Sequence, residues 1–237
     1  MLTIHKLTAG YGKLTILQAV DLTIAPGQFV AILGPNGSGK STLLKTIFGL
    51  TNRMDGTIDL YGQPVTGLPT EAIQRQGIAY VPQRLNVFGA LTVRENLQLA
   101  ARALGAADLT NAYQELFALF PILEKRQSQR AGKLSGGERQ LLAIALAWLA
   151  RPRFMLLDEP SAGLSPLMVT EVFKTLKLLK AQGIGLGVVE QNARSVLKFC
   201  DHAYVLREGQ IAFQGAAADL LADEEIVKSY LGVYTGK

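Results

Sequence analysis

Cysteine and histidine are almost missing from this 237-residue chain, which holds one of the first and two of the second. Cys200 alone excludes an internal disulfide. Set in an apolar stretch, it reads as a buried structural thiol rather than a nucleophile. His5 falls in an alternating first strand and His202 opens a later apolar one, and both read as structural. No apolar run is long enough for a membrane span, since Phe154–Leu157 and Leu141–Leu149 are too short or are bounded by charge. The opening MLTIHKLTAGYG lacks a basic region followed by an apolar core, so no secretory signal is expected. Low-complexity tracts and fixed-period repeats are also missing. These absences lead to the expectation of a protein that is cytosolic or held at a membrane by partners.

Aromatics are missing where a nucleic-acid platform would need them. The net charge is +5, and the densest basic stretch, Glu124–Lys133 (EKRQSQRAGK), has none interleaved. It reads as a solvated loop face, and no nucleic-acid partner is expected. With 49% hydrophobic and 18% charged residues, the chain can bury a sizeable core and does not resemble a disordered one.

The opening alternates apolar and polar residues, as in LTIHKLTAGYG and ILQAVDLTI, which indicates half-exposed antiparallel strands. Pro26-Gly27 marks a turn. QFVAIL has strand character, GPNGSGKST is a glycine-rich loop, and LLKTIFGL reads as a helix ending near Gly49. Residues 57–62 and 78–81 read as strands. Residues from about Asn86 to Leu149 read as mostly helical, with breaks at Gly105 and Pro121. Strand signals return at 154–157 and 185–189 with a helix between them. YVLREGQIAF reads as a hairpin turning at Glu208-Gly209, and a last helix is expected from about Ala216 to Leu231. Strands alternating with helices indicate an α/β fold with a parallel sheet and an inserted helical block.

The strongest chemical signal is GPNGSGKS, Gly34–Ser41, between a strand and a helix. Gly34, Gly37 and Gly39 let the backbone curl so that N–H groups face phosphate. The helix that follows turns the positive end of its dipole to the same place. Lys40 is placed to reach the β- and γ-phosphates and Ser41 to hold Mg2+. A turn that merely joined strand to helix would not need a lysine and a hydroxyl at these offsets.

FMLLDEP, Phe154–Pro160, presents two adjacent carboxylates at the C-terminal end of an apolar strand. Successive residues point different ways. Asp158 then serves the Mg2+ shell and Glu159 faces an attacking water as general base. Alone, the pair could equally cap the next element or form salt bridges.

LSGGERQ, Leu134–Gln140, has two compatible readings. Ser135 with Glu138 makes a capping box for the helix that follows. Gly136 and Gly137 each cost about 1 kcal/mol of helix propensity, and their lack of side chains would bare N-terminal amides to an anion.

GPNGSGKST, LSGGERQ and FMLLDEP, in this order, resemble the ATPase domain of ABC transporters over essentially the whole chain. The resemblance implies a P-loop NTPase (RecA-like) core with an N-terminal antiparallel β subdomain and an inserted α-helical subdomain. The approximate bounds are 1–85 with 151–237 for the core and its β part, and 86–150 for the helices. It implies ATP and Mg2+ as cofactors, with ATP held by Gly34, Pro35, Asn36, Gly37, Ser38, Gly39, Lys40, Ser41 and Thr42. Tyr11 resembles the aromatic that stacks on adenine, though an ordinary exposed tyrosine is the plain alternative. Gln83 resembles the loop glutamine that senses Mg2+ and water, against a solvated loop glutamine. Ser161–Ser165 occupies the loop that meets the opposite subunit, with Ser165 where the family often has aspartate. Two such domains would pair head to tail, with Ser135, Gly136 and Gly137 of one facing the γ-phosphate held by the other.

Where most members carry histidine after a strand and a glutamate, this chain has Gln191, in GVVEQN. Gln191 can donate a hydrogen bond or hold water but carries no charge. Three readings remain: an adequate substitute, the weaker site of an unequal pair, or a binder without turnover. A glutamine in this setting resembles one of the two ATPase subunits of branched-chain amino-acid importers and of related urea and neutral amino-acid systems. That implies a second ATPase, two membrane permease subunits, a periplasmic binding protein, and a peripheral place on the cytoplasmic face of the inner membrane. Val87, Phe88, Leu91 and Val93 can line a groove for a permease helix or belong to the core. The alternative from another class is an ABC-type ATPase working on ribosomes or DNA, which usually carries two cassettes or a long coiled-coil insertion.

Overall fold

The computed structural model describes residues 1–84, 86–103 and 106–222. Two sheets organise them. The first is antiparallel, with β1 (Leu2–Tyr11), β2 (Leu14–Ile24), β4 (Asn52–Leu60) and β5 (Gln63–Pro64) in the order β2-β1-β4-β5. The second contains β3 (Phe29–Leu33), β6 (Ile78–Val81), β7 (Phe154–Asp158), β8 (Gly185–Glu190), β9 (His202–Arg207) and β10 (Gln210–Ala216), in the order β10-β9-β3-β8-β7-β6. All of its pairings are parallel except β9 with β10.

The second sheet is covered on both faces, and this is why its strands read as unbroken apolar runs. Val30, Ile32, Phe154 and Leu156 point into one core with β1, β2 and the helix α1 (Lys40–Ile47). Phe29, Ala31, Leu33, Met155, Leu157 and Val188 point into a second core with helices from the other side. Those helices are α3 (Val93–Ala100), α4 (Ala106–Leu119), α5 (Pro121–Lys125), α6 (Gly136–Leu149), α7 (Pro166–Ala181) and α8 (Ala193–Val196). In the chain, α3 to α6 stand between β6 and β7.

Several boundaries differ from expectation. β4 begins at Asn52, not near residue 57, because its polar first residues pair with Ala9 and Gly10 of β1. It stops at Leu60, where Tyr61 and Gly62 take positive φ in the turn to β5. β5 and α2 (Thr70–Arg75) were not expected. The helical block starts at Val93, seven residues after Asn86, because Thr92 and Glu95 form a capping box there. Pro121 opens α5 at its first turn, as expected of a break. The other expected break, Gly105, lies outside the described residues, as does the expected last helix beyond α9 (Ala217–Ala222). The hairpin turns at Glu208 and Gly209, both at positive φ. Val93 is fully buried whereas Phe88 is 64% exposed, so the apolar segment before α3 divides between core and surface. Among the described residues no helix is long and apolar enough to cross a membrane.

Candidate active site

The parallel strands end along one edge of the sheet, so the segments after β3, β6, β7 and β8 gather there. After β3, the chain turns at Gly34, where φ is 150° and a Cβ would stand 2.1 Å from the Leu206 carbonyl oxygen. Gly39 precedes α1 in the left-handed region at φ 103° and offers no side-chain cap. Between them Pro35, Asn36 and Gly37 are exposed and Ser38 is buried, and beyond Gly39 Lys40 and Thr42 are buried. The Ser38 hydroxyl is buried without a hydrogen-bond partner. Lys40 Nζ donates to the carbonyl oxygens of Gly34 and Pro35, both at 2.9 Å. Burial lowers the Lys40 ammonium below its ordinary range, opposed by the carboxylates of Glu159, Asp158 and Glu190.

Asp158 ends β7 at 5% exposure and accepts from two hydroxyls. Ser41 Oγ donates to one of its oxygens at 2.8 Å and Tyr80 OH to the other at 3.2 Å. Burial, then the Asp158 charge, raises the Tyr80 phenol well above its usual range, so it stays a donor. Glu159 follows in the left-handed region at φ 46°, a conformation costing about 1 kcal/mol for a residue with a side chain. Its amide donates to the Val189 carbonyl at 3.0 Å, and its carboxylate accepts from Gln83 Nε2 at 2.8 Å. Gln83 therefore stands on the candidate base, not on the Ser41–Asp158 pair.

These groups fit a magnesium nucleotide. An orphaned hydroxyl, a desolvated lysine and the amides after the glycine turns answer phosphate. Hard oxygen donors on Ser41 and Asp158 answer Mg2+. Tyr11 ends β1, 46% exposed, and the strand after it puts Ile16 and Leu17 against Gly39.

Gln191 follows β8, exposed, and lines a cavity of about 700 Å3 with Glu159, Ser161, Gly163 and Glu190. His5 pairs with Asp21 at 2.8 Å and His202 stacks edge-on with Tyr204, consistent with structural parts for both. The Cys200 thiol is pushed up to about 12 by burial, so it is no nucleophile. Ser165 caps α7 through the Met168 amide at 3.5 Å.

Ser135 caps α6, accepting from the Glu138 amide at 3.3 Å while the Glu138 carboxylate accepts from the Ser135 amide at 2.9 Å. The two glycines have a reason that the sequence did not disclose. A Cβ on Gly137 would stand 2.4–2.8 Å from three atoms of Met168, and one on Gly136 would stand 3.3 Å from Leu164. Gly137 thus admits α7 close to α6, in addition to any exposure of amides. Two functional candidates escaped the sequence: Tyr80 and Glu190. Glu190 is 2% exposed, its carboxyl is raised from 4.5 to about 7, chiefly by burial, and it accepts from the Ser161 amide at 2.9 Å.

The chain matches the ABC transporter family over residues 17–162. The probable branched-chain amino acid transport ATP-binding protein LivF of Archaeoglobus fulgidus is 43% identical, over 98% of this chain and 99% of its own. The high-affinity branched-chain amino acid transport ATP-binding protein BraG of Pseudomonas aeruginosa is 40% identical, over 98% and 100%. The lipopolysaccharide export system ATP-binding protein LptB of Escherichia coli is 35% identical, over 98% and 97%. Among solved structures, a nucleotide-free ATP-binding cassette from an ABC transporter superposes with a TM-score of 0.87 at 26% identity, covering 99% of both chains. A dimeric cassette bound to ADP and phosphate superposes at 0.79 with 26% identity, over 92% and 99%. By its motifs, its fold and these likenesses, the chain belongs to the ATP-binding cassette ATPases of the ABC transporter family.

Proposed function

We propose that this protein hydrolyses Mg-ATP to energise an importer of branched-chain or other hydrophobic or neutral amino acids. The observation that carries the chemistry is the chain of contacts from Ser41 through Asp158 to Glu159 and Gln83. Lys40 and the backbone N–H groups of residues 36–42 hold the phosphates, and Tyr11 carries the adenine. Mg2+, when bound, neutralises charge on the phosphate oxygens. Ser41 and Asp158 would hold it, while Gln83 bonds the Glu159 carboxylate. Glu159 takes the proton of the attacking water, with Gln83 holding its carboxylate in place. Gln191 contributes a neutral hydrogen bond at the same edge.

The substrate class is supported by the two relatives of 40% and 43% identity, whose names specify branched-chain amino acids. The 35% identical relative named for lipopolysaccharide export supports a second reading, an ATPase of another transport system. A urea system belongs to this second reading. In either case the chain works in a head-to-tail pair, with Ser135, Gly136 and Gly137 completing the site of the partner. The helices of residues 86–150 form the part that meets two permease subunits on the inner face of the membrane. For the importer, the pair is made with a different ATPase and a binding protein delivers the substrate.

The test is purification of the tagged chain from detergent-solubilised membranes of its host, with mass spectrometry of its companions and assay of Mg-dependent phosphate release. Two permeases, a second ATPase and an amino-acid-binding protein are expected. Export-system components would favour the second reading, and ribosomal or DNA-repair proteins would defeat both.

A further inference from the structure

We propose that Glu190 is a positioning residue for hydrolysis. Its buried carboxylate ties the backbone leaving β7 with Glu159 to the backbone leaving β8 with Gln191, and so sets the base and the glutamine in register. This role rests on the reading of Glu159 as the base.

One side chain makes the tie. The Ser161 amide donates to Glu190 Oε1 at 2.9 Å. Ser161 stands two residues beyond Glu159, with Pro160 between them, so anchoring Ser161 fixes the exit from the left-handed turn at Glu159. On the other side of that turn, the Glu159 amide is held by the carbonyl of Val189, the neighbour of Glu190. The turn carrying the base is therefore clamped before and after by adjacent residues of β8.

A carboxylate is an expensive choice for a purely structural tie at 2% exposure, because burial penalises the charge. A serine or asparagine would accept one amide hydrogen bond at lower cost. What a carboxylate adds is strength: when ionised, it holds an amide in a hydrogen bond roughly twice as strong as a neutral one. The donor here belongs to the segment that carries Glu159, and the backbone of Glu190 itself leads straight on to Gln191. The same side chain borders the cavity of about 700 Å3 onto which Glu159 and Gln191 open, so a shift in its tie reaches the reacting groups directly.

The experiment is steady-state ATP hydrolysis by the full-length chain carrying Glu190→Ala or Glu190→Gln, with Glu159→Gln in parallel. Glu190→Ala is expected to lower kcat at least tenfold with KM within twofold of the parent. Glu190→Gln, which keeps one acceptor oxygen, is expected to recover at least threefold of that loss. A kcat within twofold of the parent in Glu190→Ala, a rise of KM matching the loss of kcat, or no recovery by glutamine would each overturn the role. If Glu190→Ala does not fold, Glu190→Met, of similar volume and without an acceptor, is read in its place by the same criteria. Parental turnover in Glu159→Gln would sink the base assignment and this role with it. Parental turnover in Glu190→Ala beside an inactive Glu159→Gln would sink this role alone.

Discussion

Replacing Gly137 by alanine tests whether the close approach of α6 and α7 explains a glycine in a helix. The added Cβ would stand 2.4 Å from Met168 Cε, 2.7 Å from its Cγ and 2.8 Å from its Cβ. A new rotamer of Met168 relieves the first two contacts but not the third, because that Cβ is fixed to the backbone of α7. The helices must therefore separate slightly. Overpacking of this kind costs about 1–3 kcal/mol, and replacing glycine by alanine in a helix returns about 1 kcal/mol. The net expectation is a loss of about 1 kcal/mol. Gly136→Ala is the matched control. Its Cβ meets only a terminal methyl of Leu164 at 3.3 Å, which can turn aside, so the propensity gain wins. The two variants should differ by about 2 kcal/mol, which in a protein of this size is roughly 4–8 °C in Tm. Calorimetry or denaturant unfolding measures the difference, and Gly137→Ala/Met168→Ala should remove the contacts with Cγ and Cε while leaving that with Cβ, so it should recover only part of the loss. If Gly137→Ala proved as stable as Gly136→Ala, the packing explanation would be wrong. The glycine would then be left to its amide alone.

The buried Glu190 carboxyl makes stability depend on pH. Its folded pKa is about 7 and its ordinary value 4.5, so the folded state binds more proton between these values. The parent should lose about 3 kcal/mol relative to Glu190→Gln as pH rises from 4.5 to 7, with little change above. Denaturant unfolding of both proteins at pH 5 and pH 8 checks this, and a pH-independent difference would contradict it. Tyr80→Phe removes one of the two hydroxyls on Asp158, at a cost of about 1–2 kcal/mol. It should raise the Mg2+ concentration needed for half-maximal turnover, and an unchanged requirement would reduce Tyr80 to packing against Phe48. Glu159→Gln should keep ATP binding and stop most turnover, and Gln191→Ala should lower turnover less. The reverse ranking would make Gln191 the more important group.

How much of this was legible in the sequence followed the range of the interactions involved. β3, β7 and β8 announced themselves because a sheet covered on both faces demands unbroken apolar residues, as in FVAIL and FMLL. The loop at Gly34–Ser41 was equally plain, since its glycines, lysine and hydroxyl act within one turn of chain. Asn52–Asp55 gave no strand signal because the sequence there is polar and only pairing to β1 makes it extended. The short β5 and α2 left too few residues for a period. Tyr80 and Glu190 were hidden for another reason: each acquires its meaning from a partner 78 or 29 residues away. Gly137 was half read. Its cost to the helix was visible, but Met168, which explains it, lies on the next helix but one strand along the chain.

The depressed reactivity of Cys200 has a practical side. With a thiol pushed up to about 12 in an otherwise cysteine-free chain, the protein offers an almost silent background to alkylating reagents near neutral pH. One cysteine introduced at an exposed position, such as Phe88 or Ala162, would take a spectroscopic label selectively. Distances between such labels can then follow the approach of two copies, or of a copy and its membrane partner, through a full catalytic cycle without first stripping the native chain of thiols.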